Sequence, residues 1–513
     1  MLHYRFNNFY ETAQYHGTHR RKKVALFEGD NKISYGELLE RVDAFAGYLA
    51  SIGIVPEERV ALFMANSWEF VVAVLAISKI GAITVPINNF LKESELNYIL
   101  EDSGAVVLIG SAKLEKVIHA SEAKTLCRQI IWEGGMRLTD AMNVSFEEAL
   151  AKKLTTKAVM RTLDDLAVFF YTSGTTGKPK GAMLTNKNIF SNAESGSEVM
   201  HITPKDRFIV FLPMFHSFAF SIGVILPLYQ GASIVIIKSL QPFSNIFKQT
   251  LLKRVTIFFG VPDIYSAIAR AKLPWYFMWF NKIRVFISGA AALQPQTLEA
   301  MNAKFKRATL LEGYGLSESS PATALNPLHK PKHKSVGPAM PGFEIKVVDA
   351  EMVEVPRGEV GDIILKGDHI MRGYLNRPEA TEETIINGWL LTGDMGYMDE
   401  EGYLFIVDRK KDLIISKGIN IYPRELEEVI DDFDGIKVSA VVGIPDEKSG
   451  EIPVAYLELE EGLESIDEAA LRKHLREKLA NFKLPKQIHT IDELPKNATG
   501  KVLKRVLKEQ LKA

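Results

Sequence analysis

Tyr171-Thr172-Ser173-Gly174-Thr175-Thr176-Gly177-Lys178-Pro179-Lys180-Gly181 packs hydroxyls, glycines and lysines into eleven residues. An unbroken apolar run, Leu166 to Tyr171, leads in and reads as a buried strand. Thr185 reads as a helix start, with Asn186 to Ser191 beyond it. The expected arrangement is therefore a loop between a strand and a helix. Glycines let backbone N–H groups approach an anion, hydroxyls add donors and lysines add charge. Together they suit a polyphosphate. The spacing is not that of the common phosphate loop. Only two residues separate Gly174 from Gly177, and Pro179 follows Lys178 where that loop has Ser or Thr. Pro179 also lacks an N–H and resists continuing a helix. A flexible glycine-rich surface loop is the plain alternative, and the length and order of the stretch weigh against it.

The pattern around this stretch is alternating. Upstream, Ile33 to Leu38 opens an amphipathic helix running towards Leu49, and Arg59 to Met64 reads as a strand. A helix end at Ala73 to Ala82 precedes a strand at Ile83 to Pro86. Downstream, Phe208 to Leu212, Ser233 to Ile237, Thr256 to Phe259 and Arg284 to Ile287 are short, apolar and rich in β-branched or aromatic residues. Helical-length segments separate them. Such alternation predicts α/β layers with largely parallel sheets. Ligands bind at strand ends in such sheets. The loops Pro213-Met214-Phe215-His216, Gly260-Val261-Pro262 and Ser288-Gly289-Ala290-Ala291 are therefore candidate site loops.

Composition bounds the rest. A chain of 513 residues exceeds what one core normally serves, so at least two domains are expected. Lys+Arg 62 against Asp+Glu 63 gives no charge argument for nucleic acid. Cys127 stands alone, which excludes an intramolecular disulfide and fits a reducing compartment. The start of the chain lacks a signal-like apolar core, and no run approaches the ~18 apolar residues of a membrane span. A soluble, cytoplasmic protein is expected.

Three more motifs carry chemistry. Glu312-Gly313-Tyr314-Gly315-Leu316-Ser317-Glu318 combines a ring, two glycines, a hydroxyl and carboxylates. Trp389 to Asp394 puts a carboxylate on a tight turn, suited to a vicinal diol. Asp408-Arg409-Lys410-Lys411-Asp412 begins a charged run that ordinarily marks a solvated face. The last hundred residues read as a compact α+β unit. It has helices at Pro423 to Ile430 and Glu468 to Leu479, and strands at Val438 to Ile444, at Pro453 to Leu459 and near His489. It ends on Pro495-Lys496-Asn497-Ala498-Thr499-Gly500-Lys501.

These motifs, in this order, resemble the adenylate-forming superfamily of acyl- and aryl-CoA synthetases, peptide-synthetase adenylation domains and beetle luciferases. The resemblance runs from Ile33 to Arg505 and looks most like bacterial long-chain fatty-acid–CoA ligases. It implies a large domain over 1–410 and a small mobile domain over 411–513, with Lys411 as the hinge. It implies an ATP site formed by Thr172, Ser173, Gly174, Thr175, Thr176, Gly177, Lys178, Gly289, Ala290, Glu312, Gly313, Tyr314, Gly315, Ser317, Asp394, Ile406, Arg409 and Lys501. Tyr314 would pack on adenine, Asp394 and Arg409 would hold ribose, and Glu318 would hold Mg²⁺, which favours few protein oxygens. Lys501 would be the catalytic lysine, and a lysine on a glycine-hinged loop suits a developing anion. A basic tail is the alternative for that segment. The resemblance places His216 beside the acyl carboxylate, where a packed, non-catalytic histidine is the other reading. Lys417 and Gly418 would line the CoA tunnel. Phe218, Val261, Tyr265, Gly289, Ala291 and Tyr314 would form the acyl pocket.

ATP, a medium- or long-chain fatty acid and CoA are thus the expected partners. An aryl acid, or an acceptor other than CoA, is the rival reading. The oligomeric state is open, a homodimer included. One stretch stands apart. Leu273 to Phe280 carries two of the five tryptophans between Lys272 and Lys282. Aromatics with basic neighbours suit a peripheral membrane contact. Apolar runs are core more often than interface, so a buried helix packed on the sheet is expected.

Overall fold

The computed structural model describes residues 2–134, 143–172, 178–416, 419–446, 448–460, 462–496 and 501–510. Two eight-stranded sheets carry the larger part. In the first, the strands Thr309–Tyr314, Val285–Ser288, Ile257–Gly260, Arg207–Val210, Ser233–Ile236 and Val24–Glu28 run parallel in that spatial order. Antiparallel strands Ala324–Leu325 and Asn31–Ser34 close its edges. The second sheet is parallel from Leu166–Thr172 through Ile83–Pro86, Arg59–Phe63, Ala105–Ser111 and Gln129–Glu133 to Asn143–Ser145.

One core lies between the sheets and another behind the second sheet, and side-chain alternation separates them. Val60 and Leu62 point into the shared core, while Ala61 and Phe63 join the core behind. The helix Trp68–Lys79 is buried all round, so it carries no polar stripe. Ser67 caps it by accepting from the Phe70 N–H. The amphipathic helix expected after Ile33 runs from Tyr35 to Ser51, started by a capping box in which Ser34 and Glu37 exchange hydrogen bonds.

The expected strand–loop–helix order around the phosphate-loop motif needs correction. Lys180–Thr185 is itself a strand and pairs antiparallel with Leu166–Thr172, Thr172 opposite Lys180. The two ends of the motif are thus antiparallel strands paired with each other. The helix follows as Asn186–Met200, and Thr185 is its N-cap, as expected.

The buried-helix reading of Leu273 to Phe280 also fails. Trp275–Phe280 is a short helix in which only Phe277 is buried; Trp275, Tyr276, Trp279 and Phe280 are 70%, 47%, 71% and 61% exposed.

Phe343–Val348, Gly361–Gly367, Ile385–Ile386, Trp389–Met398 and Leu404–Arg409 form a five-stranded antiparallel sheet, while Gly373–Tyr374 between them joins the edge of the second sheet. Residues beyond 413 make a separate sheet with two apolar clusters of their own. Its helices Pro423–Asp431 and Glu468–Lys478 and its strands Ile436–Asp446, Gly450–Leu459 and Gln487–Ile491 match the expected α+β unit. The chain is thus a mixed α/β protein with a large N-terminal part of parallel sheets and helices and a smaller C-terminal part.

The two parts meet through polar pairs. Gln294 donates to Asp431 at 3.0 Å and Gln296 donates to Asp432 at 2.9 Å. Lys496 lies 3.1 Å from Asp263, and Arg270 3.7 Å from Glu460. Among the described residues, no helix is long and apolar enough to cross a membrane.

Candidate active site

The first sheet lays out the site. Gly260, Ser288 and Glu312 stand in one row across three adjacent parallel strands. The loops after them therefore open side by side at the carboxyl ends of the strands, where α/β folds bind ligands. Val261 begins one loop and N-caps the helix Pro262–Arg270. Gly289 begins the next; a Cβ there would sit 3.4 Å from the Phe218 ring. Ala290 has a φ of +69°, a region uncommon for a residue with a Cβ, and with Ala291 it is exposed. In the third, Gly315 passes so close to the chain that a Cβ would lie 1.9 Å from the Pro321 carbonyl. Only glycine fits there.

The loop after Arg207–Val210 completes the wall. Ser217 Oγ and Ser317 Oγ are 2.8 Å apart, so the histidine loop and the Tyr314–Glu318 segment touch. Phe218 packs edge-on against Phe259 at 5.5 Å. A π-helical turn, Ala219–Ile225, follows; such turns recur at functional sites. Burial pushes the His216 imidazole down to about 4, so it is neutral near pH 7. The Phe218 N–H donates to its Nδ1 at 3.3 Å. The neutral ring then carries its proton on Nε2, which is a donor for a carboxylate oxygen. Tyr265 is fully buried, and its hydroxyl is already spent on the Ile287 carbonyl at 2.6 Å. That hydroxyl is therefore not offered to a ligand.

The Asp394 carboxylate is held in place from two sides. Tyr314 donates from its hydroxyl to Asp394 Oδ2 at 2.7 Å, and Arg409 Nε lies 3.2 Å from Asp394 Oδ1. Asp394 and Arg409 are cross-strand partners in the antiparallel sheet, so their proximity is set by register. A cavity of about 380 Å³ adjoins them, lined by Thr392, Gly393, Arg409, Lys410 and Lys411.

Lys501 comes to this carboxylate from the far end of the chain. Burial is the main cause that lowers its ammonium to about 7, with the positive charges of Arg409 and Lys411 adding to it and Asp394 and Asp412 opposing. A lysine so placed is poised near neutrality, as groups that handle charge in a reaction often are. Burial likewise raises the Glu312 carboxyl to about 7, against a backbone hydrogen bond from Leu293 and the charge of Arg424.

Glu318 sits on the 3₁₀ turn Ser317–Ser319. Its Oε1 accepts from the Tyr374 hydroxyl at 2.9 Å and from Thr172 Oγ1 at 3.4 Å. Among the described residues no three His, Cys, Asp or Glu side chains gather as a cation cage. Mg²⁺ usually takes one or two carboxylates plus phosphate and water, so a single glutamate facing the phosphate hairpin fits it. Lys178 Nζ lies over the Tyr98 ring at 5.3 Å and Lys180 Nζ over Tyr374 at 5.2 Å.

Thr172 meets Glu318, Ser317 meets the histidine loop, and Tyr314, Asp394, Arg409 and Lys501 form one cluster, with Glu312, Gly313 and Gly315 in the same strand and loop as Tyr314; Lys178 lies apart, over Tyr98. Ile406 lies two positions from Asp408 on the strand Leu404–Arg409, and its carbonyl accepts from Arg424. Ser173, Gly174, Thr175, Thr176, Gly177, Lys417 and Gly418 lie outside the described residues.

Several residues in this arrangement were not foreseen. Tyr374 orients Glu318 from 56 positions away. Asp102 accepts from Tyr171 and pairs with Arg377, and Tyr98 donates to the Pro179 carbonyl, bracing both arms of the phosphate hairpin. Asp408 accepts from the Arg424 N–H at 2.9 Å, capping the helix Pro423–Asp431 whose own N-cap residue makes no side-chain bond. Only the Gly373-Tyr374 pair had any local signal, a glycine beside an aromatic; the rest depend on tertiary contact.

Residues 13–375 match the AMP-binding enzyme family, and residues 425–501 match the AMP-binding enzyme C-terminal domain. A long-chain-fatty-acid–CoA ligase of Escherichia coli O6:H1 is 34% identical over 509 residues, covering 93% of this chain and 90% of that one. A feruloyl-CoA synthase of an Amycolatopsis species is 33% identical over 483 residues, covering 94% of each chain. The solved structure of the anthranilate CoA ligase AuaEII in complex with anthranoyl-AMP superposes with a TM-score of 0.91 at 28% identity, covering 99% of this chain and 98% of that one. The chain belongs to the AMP-binding enzyme family. Within it, it is an AMP-forming acid–thiol ligase.

Proposed function

We propose that this ligase activates a medium- or long-chain fatty acid as its acyl-adenylate and then transfers the acyl group to CoA. The observation that carries the substrate class is the acyl wall. Phe218 stands against Gly289, with Phe259 behind it and Val261 on the next loop, and none of the residues assigned to the tail carries a formal charge. Gly289, Ala290 and Ala291 leave room for a long apolar tail.

In the first step the substrate carboxylate attacks the α-phosphorus of ATP and pyrophosphate leaves. Positioning and charge neutralisation do most of such work. Lys501, when protonated, stabilises the charge that builds between carboxylate and phosphate. His216 donates from Nε2 to orient the carboxylate. Asp394 takes the ribose hydroxyls, held ready by Tyr314 and Arg409. Thr172 and Lys178, with the hairpin tip, hold the departing pyrophosphate. Mg²⁺ held by Glu318 would supply charge neutralisation on the phosphates. In the second step the CoA thiolate attacks the acyl carbon and AMP leaves.

The two steps need different groups over one site. We place the domain boundary between Lys410 and Lys411, at the 3₁₀ turn Lys410–Asp412. Rotation there would withdraw Lys501 and bring Lys417 and Gly418 to the pantetheine path.

The test is pyrophosphate release with ATP and Mg²⁺ across acids from acetate to oleate, with benzoate and cinnamate, each with and without CoA. A CoA-dependent maximum at long acyl chains is expected. A maximum on aryl acids would move the enzyme to the feruloyl-type substrates. Release indifferent to CoA would mean another acceptor.

A further inference from the structure

We propose that the helix Trp275–Phe280 and the bases around it form a docking face for an anionic phospholipid surface. The helix is one and a half turns long and is too short to hold itself in water. It is pinned by Phe277, which packs edge-on against Phe247 at 5.4 Å, and by Arg307, whose guanidinium donates to the Met278 and Trp279 carbonyls at 2.5 and 3.0 Å. This anchoring holds four large aromatic side chains outward, and soluble surfaces rarely expose contiguous apolar patches of that kind without a use.

The composition selects the occupant. Tryptophan and tyrosine bury a ring at the headgroup boundary while their N–H and O–H stay hydrogen-bonded. Lys272 and Lys282 are exposed at the two ends of the helix, and Arg307 adds a third charge. The whole stretch 271–284 contains no Asp or Glu. A basic rim around aromatics complements anionic lipid. The same rim would oppose itself across a two-fold contact between copies of this chain, since like charges would meet. The helix Pro262–Arg270 runs from Val261 to this face, with four residues between Arg270 and Trp275. If the fatty-acid reading holds, the face sets a wall of the acyl pocket against the phase in which such acids dissolve.

Vesicle flotation tests this without ATP, acid or CoA, so its outcome is independent of which acid the ligase activates. Wild-type protein is expected to float with vesicles of phosphatidylcholine containing one-third phosphatidylglycerol, to float little with phosphatidylcholine alone, and to be released by salt. Trp275→Ser with Trp279→Ser should lower the apparent partition coefficient on the order of tenfold. Lys272→Glu with Lys282→Glu should abolish the preference for anionic vesicles. Both variants should keep the wild-type circular dichroism and activity on a short soluble acid. Equal flotation of wild type and the tryptophan variant would overturn the proposal. So would equal binding to neutral and anionic vesicles, or a dimer in sedimentation that the tryptophan substitutions dissolve.

Discussion

Lys504 Nζ lies 2.7 Å from Glu427 Oε1, and both side chains are largely buried. The same carboxylate oxygen accepts from the Val441 N–H at 2.8 Å. Lys504 is three residues beyond Lys501, so this pair ties the segment just after Lys501 to the helix Pro423–Asp431. The Glu427 and Asp408 carboxylates outweigh burial and hold Lys504 above its usual value, so it stays charged. Removing one partner strands the other charge away from water, a loss of about 3 kcal/mol where burial is complete and less here. Lys504→Met should lower adenylation on the order of tenfold by loosening Lys501. Thioester formation from supplied acyl-adenylate should be spared, and single-turnover assays of the two halves separate these outcomes. Equal loss in both halves would mean Lys504 serves stability alone.

Lys501→Ala should remove the charge that stabilises the first transition state. A loss of roughly 10²–10³ in adenylation is expected, the scale seen when a preorganised donor is deleted. Acyl transfer from supplied adenylate to CoA should persist. Lys411→Pro should do the reverse, slowing acyl transfer and sparing adenylation.

The pH dependence follows from the sign of the Lys501 shift. Burial and Arg409 lower it to about 7 in the free protein, so the ammonium is present below that pH and is lost above it. kcat/KM for adenylation, which reports the free enzyme, should therefore fall as pH rises through about 7. Lys501→Arg keeps its charge at any accessible pH and should abolish this limb, even at reduced rate. A limb unchanged in Lys501→Arg would assign it to another group.

Tyr314→Phe removes the hydroxyl that holds Asp394 Oδ2. Net loss of one hydrogen bond to a charged group is worth about 1.5–3 kcal/mol. KM for ATP should rise roughly tenfold or more with the acid KM little changed. A parallel rise in the acid KM would place the phenol in the acyl pocket instead.

Gly289→Val puts side-chain atoms beyond the Cβ position that already lies 3.4 Å from the Phe218 ring. Long-chain acids should lose kcat/KM by one to two orders of magnitude while acetate or propionate is retained, because methylenes that no longer fit cost about 1–3 kcal/mol in all. A uniform loss over all chain lengths would point to the ATP side of the loop.

The sequence was most legible where chemistry is contiguous. The motifs at Tyr314–Glu318, Asp394 and Arg409 fall together because Tyr314 and Arg409 end their strands and Asp394 is the cross-strand partner of Arg409, and strand alternation is visible locally. The strand Lys180–Thr185 was missed because its pattern, Gly181-Ala182-Met183-Leu184, is short and lies directly before a strong helix cap at Thr185. Only pairing with Leu166–Thr172 across the glycine-rich tip makes it a strand. Leu273 to Phe280 defeated the reading for another reason. An apolar run shows that water is avoided on average but not which side chains find partners; Phe277 is buried, Leu273 and Met278 pack partly against the core, and the other aromatics stay exposed. Tyr374, Asp102, Asp408 and Lys504 act through contacts that have no spacing of their own.

Across the seam between the two parts run Gln294–Asp431, Gln296–Asp432, Lys496–Asp263 and Arg270–Glu460, joined near the boundary by Arg424 on Asp408 and on the Ile406 carbonyl, and among the described residues no apolar cluster spans it. The two ion pairs among them, Lys496–Asp263 and Arg270–Glu460, lie at the surface, where such pairs contribute roughly 0–1 kcal/mol apiece. Such a seam sets a shallow preference, one that a ligand can reverse with a differential affinity of a few kcal/mol. Under the proposed rotation the order of events needs no separate clock: whichever of ATP, adenylate or CoA is in place would decide the orientation, and each chemical step would reset the balance for the next.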